Sequence, residues 1–144
     1  MEYLELLPHT PPMRLVEEVV SVEPGVQAVC RRQTRQDDFY FQGHFPDRPV
    51  VPAIVLIELL AQAGGLAAAA PQPGEPERAC ALRIAAVDGF RFPAGCGVDV
   101  LLEATARVAG RLGGLFKIEG TVTADGVVVA KGHLTLADVA GRSA

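Results

Sequence analysis

Between Pro49 and Gly74 the chain carries a single charged residue, Glu58. The run around it, Pro52-Ala53-Ile54-Val55-Leu56-Ile57-Glu58-Leu59-Leu60-Ala61-Gln62-Ala63, is the most apolar part of the sequence. Three prolines, Pro46, Pro49 and Pro52, forbid a regular helix between residues 44 and 52. Pro52 suits a first helical position, because its missing N–H has no helical partner in any case. The spacing therefore predicts one long helix from Pro52 to Ala70, closed by Pro71-Gln72-Pro73-Gly74-Glu75-Pro76. It is apolar on every side and should be covered on most of them. A carboxylate alone among Ile, Leu and Ala must be neutral, partnered or functional.

This run is long enough to invite comparison with a membrane span. It contains Pro52, Glu58, Gln62, Gly64 and Gly65, and a mid-span acid costs roughly 2.5–3.5 kcal/mol. No second hydrophobic stretch follows, so a buried helix without membrane insertion is expected. The start, Met1-Glu2-Tyr3-Leu4-Glu5, is acidic and lacks the basic region of a signal peptide. Cys30, Cys80 and Cys96 are odd in number and widely spaced. They read as small buried hydrophobes in a reduced, cytoplasmic setting, and no metal is implied.

The 144 residues leave room for one domain, 1–144. With 49% hydrophobic and 21% charged residues, the chain can bury a core. A formal charge of -4, without a basic cluster, argues against nucleic-acid binding.

Around the helix the pattern is that of strands. Residues 2 to 7 suggest a short helical turn before the rigid Pro8-His9-Thr10-Pro11-Pro12. Met13 to Glu23 and Val26 to Thr34 read as two strands about Pro24-Gly25. Residues 36 to 41 read as a single turn with three adjacent aromatics. A strand is expected over Cys80 to Phe92, then one starting at Val98, in which only Leu101 breaks the period of two. Gly110 to Gly114 reads as a loop and Asp125-Gly126 as a hairpin turn. Val128, Ala130, Leu134 and Leu136 should form the apolar side of the last strand. The sum is an α+β arrangement, an antiparallel sheet curled around one helix. One helix and one sheet leave edges that can pair with a second copy.

Two groups stand out for chemistry. His44 follows Gly43 and precedes the stiff Phe45-Pro46, beside the start of the helix. Glu58 has Gln62 one turn further on, in reach of a hydrogen bond. Desolvation of such a carboxyl suits a group that donates a proton. His and Glu together make an acid/base pair without a metal. The N–H groups of Ala53 and Ile54, at the helix start, have no helical acceptor and can hold a developing oxyanion. His9 and His133 read as surface, packing or solvated strand residues. The motifs of serine hydrolases, P-loops, zinc proteases and dinucleotide binders do not occur.

Phe41-Gln42-Gly43-His44-Phe45-Pro46, then Arg48-Pro49-Val50, Pro52, Glu58 and Ala61-Gln62-Ala63, resembles the (3R)-hydroxyacyl-[acyl carrier protein] dehydratases of bacterial fatty-acid synthesis. Leu7-Pro8-His9 with Pro11-Pro12-Met13, Phe90-Arg91 with Pro93 and Gly97, and Gly126 to Ala130 with Leu134-Thr135 extend the likeness over nearly the whole chain. The resemblance implies a hot-dog fold and a homo-oligomer, a dimer or a trimer of dimers, with each active site at the dimer interface. It implies His44 as the base that removes the proton alpha to the thioester carbonyl, and Glu58 of the second subunit as the acid that protonates the 3-hydroxyl. The Ala53 N–H would hold the thioester oxygen, and Phe41, Phe90 and Phe92 would line the acyl tunnel. Gln62 joins Ala53 and Phe41 on the substrate side of the site. The substrate would arrive on acyl carrier protein through its phosphopantetheine arm, and no cofactor is implied. Ala53 stands where the family usually has Gly; Asp47 and Val51 depart from the commoner Gly and Met or Phe; and Phe92, Cys96 and Val98 replace Arg, Pro and Asp in a segment that meets the carrier. The alternatives left open are a thioesterase on the same fold and a non-catalytic acyl-binding subunit.

Overall fold

A computed structural model describes residues 2–44 and 47–138. Phe45 and Pro46, expected to stiffen the approach past His44, lie outside these residues, as does Met1. A 3-10 turn at Tyr3–Leu6 is followed by strands β1 (Glu18–Glu23) and β2 (Gln27–Gln33) and a second 3-10 turn at Phe39–Phe41. Helix α1 (Ala53–Ala69) comes next, then β3 (Leu82–Arg91), β4 (Leu101–Leu112), β5 (Leu115–Ala124) and β6 (Val127–Asp138). The six strands form one antiparallel sheet in the order β1-β2-β4-β5-β6-β3. One long helix against one antiparallel sheet is the hot-dog arrangement.

The alternation read from the sequence explains how the helix is held. Ala28 and Cys30 of β2, Leu102, Ala104 and Ala106 of β4, and Ile118 and Val122 of β5 are buried on the helix side. Leu59, Leu60, Ala63, Leu66 and Ala67 of α1 are fully buried against them. Burying each Leu contributes about 1.5–3 kcal/mol. Two glycines set how closely helix and sheet approach. A Cβ at Gly120 would fall on the Leu60 side chain, and one at Gly64 would meet Ile118 and Leu136 at 3.1–3.2 Å.

The structure corrects several expectations. Pro52 is the N-cap rather than the first helical residue. The first strand begins only at Glu18, because Leu15 and Val16 turn inward and give their N–H groups to the Gln62 side chain. The strand expected from Val98 starts at Leu101, since Asp99 has φ 59°, a left-handed conformation that breaks the extended run. Residues 110 to 112 are strand, not loop; β4 continues through an irregularity at Val108–Gly110 to a tight turn at Gly113-Gly114. Val128 is 37% exposed and Val129 1%. A register shift opposite Val122–Thr123 inserts one residue and moves the buried face along by one. The helix is covered over most of its length, as expected, but Ile54, in its first turn, is 75% exposed.

Candidate active site

His44 is placed by a buried polar network in the loop before α1. The Arg32 guanidinium donates to the Leu15 carbonyl at 3.1 Å, to Asp38 Oδ1 at 2.8 Å and to the Tyr40 hydroxyl at 3.1 Å. Tyr40 in turn donates to Asp38 Oδ2 at 2.6 Å. Burial, with this hydrogen bond, pushes the Tyr40 phenol well above its ordinary range, so it remains a donor. The network fixes the Phe39–Phe41 turn, whose last carbonyl accepts the His44 N–H at 3.2 Å. Gly43, at φ 74°, makes the sharp step that a side chain would resist.

The His44 ring has a defined tautomer. Nδ1 lies 2.9 Å from the Val50 carbonyl oxygen, which can only accept, so Nδ1 carries the proton and Nε2 is the basic nitrogen of the neutral ring. The ring borders two cavities. One, of about 440 Å³, is lined by Phe39, Tyr40, Pro52, Ala53, Ile54 and Val55 among others. The second, of about 420 Å³, includes Ala53, Leu56, Phe92, Cys96 and Val129. Ala53 is therefore common to both. Among the described residues the first bonded amide of α1 is that of Val55, which donates to the Pro52 carbonyl at 2.9 Å. The N–H groups of Ala53 and Ile54 precede it at the positive end of the helix dipole. Burial raises the Cys96 thiol above its ordinary value. Burial likewise pushes Cys30 up to about 12 and Cys80 up to about 11.

Glu58 lies more than one turn further along α1. It is not a core residue: its side chain is 27% exposed. Gln62 Nε2 donates to Glu58 Oε2 at 3.1 Å, the contact expected from their spacing. The same amide donates to the Met13 carbonyl at 2.8 Å and accepts from the Leu15 and Val16 N–H groups at 2.9 and 3.3 Å. Gln62 is thus 1% exposed, with its amide bonded to protein on both sides, and it orients Glu58 from beneath. Replacing it with Leu should cost about 2–4 kcal/mol, because buried N–H and carbonyl groups lose their partners. Urea unfolding, with the slope unchanged, checks this figure.

The remaining residues singled out in the sequence are distributed as follows. Phe41 is buried in the core and borders neither cavity; Phe39 and Tyr40 do. Phe90 is partly buried and stacks on Phe92 at 5.9 Å between centroids. Glu58 borders neither cavity at His44. It contacts His9 instead, whose Nε2 stands 3.8 Å from Oε2. No spacing in the sequence announces that contact, which comes from the inward turn of the N-terminal segment. A larger cavity, of about 750 Å³, lies among polar strand residues that include the Arg107–Glu119 ion pair and His133, remote from α1. Among the described residues no helix is long and apolar enough to cross a membrane.

Comparison with known proteins identifies the family and the fold. A family model for the FabA-like domain matches residues 7–133. A protein of Anaeromyxobacter sp. (strain Fw109-5) named 3-hydroxyacyl-[acyl-carrier-protein] dehydratase FabZ is 36% identical over 127 residues, covering 88% of this chain and 80% of its own. One of the same name from Herpetosiphon aurantiacus is 35% identical over 142 residues, 96% of each chain. Among solved structures, the dehydratase heterocomplex ApeI:P from Xenorhabdus doucetiae matches with a TM-score of 0.78 over 99% of this chain and 94% of that chain. Its 17% identity makes it a likeness of fold. With the family match spanning most of the sequence, and with the fold described above, the chain belongs to the FabA-like domain family.

Proposed function

We propose that this protein is a hydro-lyase that dehydrates (3R)-hydroxyacyl thioesters to trans-2-enoyl thioesters in fatty-acid or related lipid biosynthesis. Its substrate is presented on acyl carrier protein through the phosphopantetheine arm. The relatives named as 3-hydroxyacyl-[acyl-carrier-protein] dehydratases support the reaction class. The observation that carries the site is the His44 ring, held through Nδ1 by the Val50 carbonyl at a cavity shared with the amino end of α1.

In this reading the thioester oxygen rests on the Ala53 N–H, where the helix dipole favours the charge that develops as the α-proton leaves. His44 Nε2 takes that proton. Glu58 gives its proton to the 3-hydroxyl, the C3–O bond breaks, and water departs. The proton on His44 then returns to Glu58 through solvent, so no external acid or base is consumed. The acyl tail follows the apolar lining made by Leu56, Phe92 and Val129.

The site is completed by a second copy of the chain, with His44 from one subunit and Glu58 from the other. Three features support this. Glu58 borders neither cavity at His44. The apolar side chains of Ile54, Phe39 and Phe92 are exposed around the site. Strand β3, an edge of the sheet, exposes Val87 along an unpaired side. The assembly is a homodimer, alone or as a trimer of dimers.

An absorbance assay with carrier-bound crotonyl and longer enoyl thioesters tests the activity. Enoyl absorbance should fall as the 3-hydroxyacyl product forms, with no free thiol. Thiol release without enoyl consumption would make the protein a thioesterase and overturn the reading.

A further inference from the structure

Two side chains approach Glu58, and both reach the same oxygen. The Gln62 amide donates to Oε2 at 3.1 Å, and His9 Nε2 stands 3.8 Å from it. Among the described residues nothing donates to Oε1. In a protonated carboxyl, the oxygen that accepts N–H bonds is the carbonyl oxygen, and the proton sits on the other.

The second nitrogen of His9 fixes the ring's tautomer. Nδ1 is buried and has no hydrogen-bond partner among the described residues. A buried N–H with no acceptor is rarer and costlier than an unused lone pair. The proton of the neutral ring therefore belongs on Nε2, facing Glu58. At 3.8 Å the contact is longer than a hydrogen bond, but catalytic contacts commonly shorten once substrate is bound. The segment carrying His9 is anchored for this. The Thr10 carbonyl accepts the Arg14 N–H at 2.9 Å, and the Met13 carbonyl and the Leu15 and Val16 amides bond to Gln62. One amide thus ties the His9 segment to α1 and holds Glu58 at the same time.

We propose that His9 is a positioning residue for Glu58: together with Gln62 it fixes Oε2 as the accepting oxygen and so directs the acid proton to Oε1, which faces the departing hydroxyl. This rests on Glu58 being the acid proposed above. The Oε1 proton passes to the 3-hydroxyl, the C3–O bond breaks with its electron pair leaving on oxygen, and water is released. The carboxylate left behind keeps both N–H contacts on Oε2, and each strengthens as negative charge appears. His9 itself gives up no proton.

The test compares wild type, His9→Leu and His9→Gln in crotonyl-thioester hydration, with Glu58→Gln in parallel and thermal unfolding to establish folding. Leu removes the N–H, whereas the Gln amide can reach the same oxygen. His9→Leu should lower kcat about tenfold with KM unchanged to within about twofold, and His9→Gln should recover most of the loss. Where His9→Leu does not fold, His9→Asn, polar but one bond too short, takes its place with the same expected loss. Wild-type kcat in the Leu or Asn variant, a change confined to KM, or a Gln variant as slow as either would overturn the role of His9. An inactive Glu58→Gln beside a fully active His9→Leu removes only this inference, while a fully active Glu58→Gln removes the acid assignment beneath it.

Discussion

Replacing His44 with Ala should lower kcat for hydration of a crotonyl thioester about a thousandfold, the middle of the range for a positioned general base. The loss should fall on kcat, with KM changed little, because the ring acts on a proton that moves only in the transition state. Folding should be nearly unaffected. The ring lies beside open cavities, and its Nδ1 bonds to the Val50 carbonyl; loss of that bond costs about 1 kcal/mol. Stopped assays at saturating substrate, alongside a melting curve, check both points. A folded variant with wild-type kcat would remove His44 from the mechanism.

Glu58→Gln should lower kcat by about a hundredfold or more, in both directions of the reaction. In the proposed mechanism the carboxyl gives a proton to the hydroxyl in dehydration and the carboxylate takes one from water in hydration, so one group serves both. The amide is isosteric and its oxygen can still accept from Gln62 Nε2, which bonds the native carboxylate at 3.1 Å. The substitution therefore removes the ionisable proton and leaves the scaffold in place. Measuring hydration and dehydration separately distinguishes this from a binding defect: a rise in KM with kcat intact would place Glu58 in substrate binding instead.

What the sequence made legible was local. The helix was marked by three prolines followed by an apolar run, and the Glu58–Gln62 contact by a spacing of one turn, which any helix brings together. The strands of the second half were marked by their period of two. What stayed hidden depends on residues distant in the chain. Leu15 and Val16 look like strand residues, yet they are 47 and 46 positions from the Gln62 oxygen that receives their amides. That contact shortens the first strand and also carries His9 to Glu58. The burial of Val129 rather than Val128 follows from a register shift against β5, which β6 alone cannot specify. Glu58 seemed isolated in an apolar core because its neighbours in sequence are apolar; in the fold it sits at the margin, with Ile54 exposed one turn before it.

The central claim is that one active site needs His44 of one subunit and Glu58 of another. Mixing two inactive variants tests it directly. His44→Ala and Glu58→Gln proteins are unfolded together, refolded at equal concentration and assayed with crotonyl thioester. In a mixed dimer one of the two sites regains both native groups, so random pairing should restore about a quarter of wild-type activity. Mixtures that remain as inactive as either variant alone, with mixed dimers demonstrated by differential tags, would place both groups in a single chain and contradict the account.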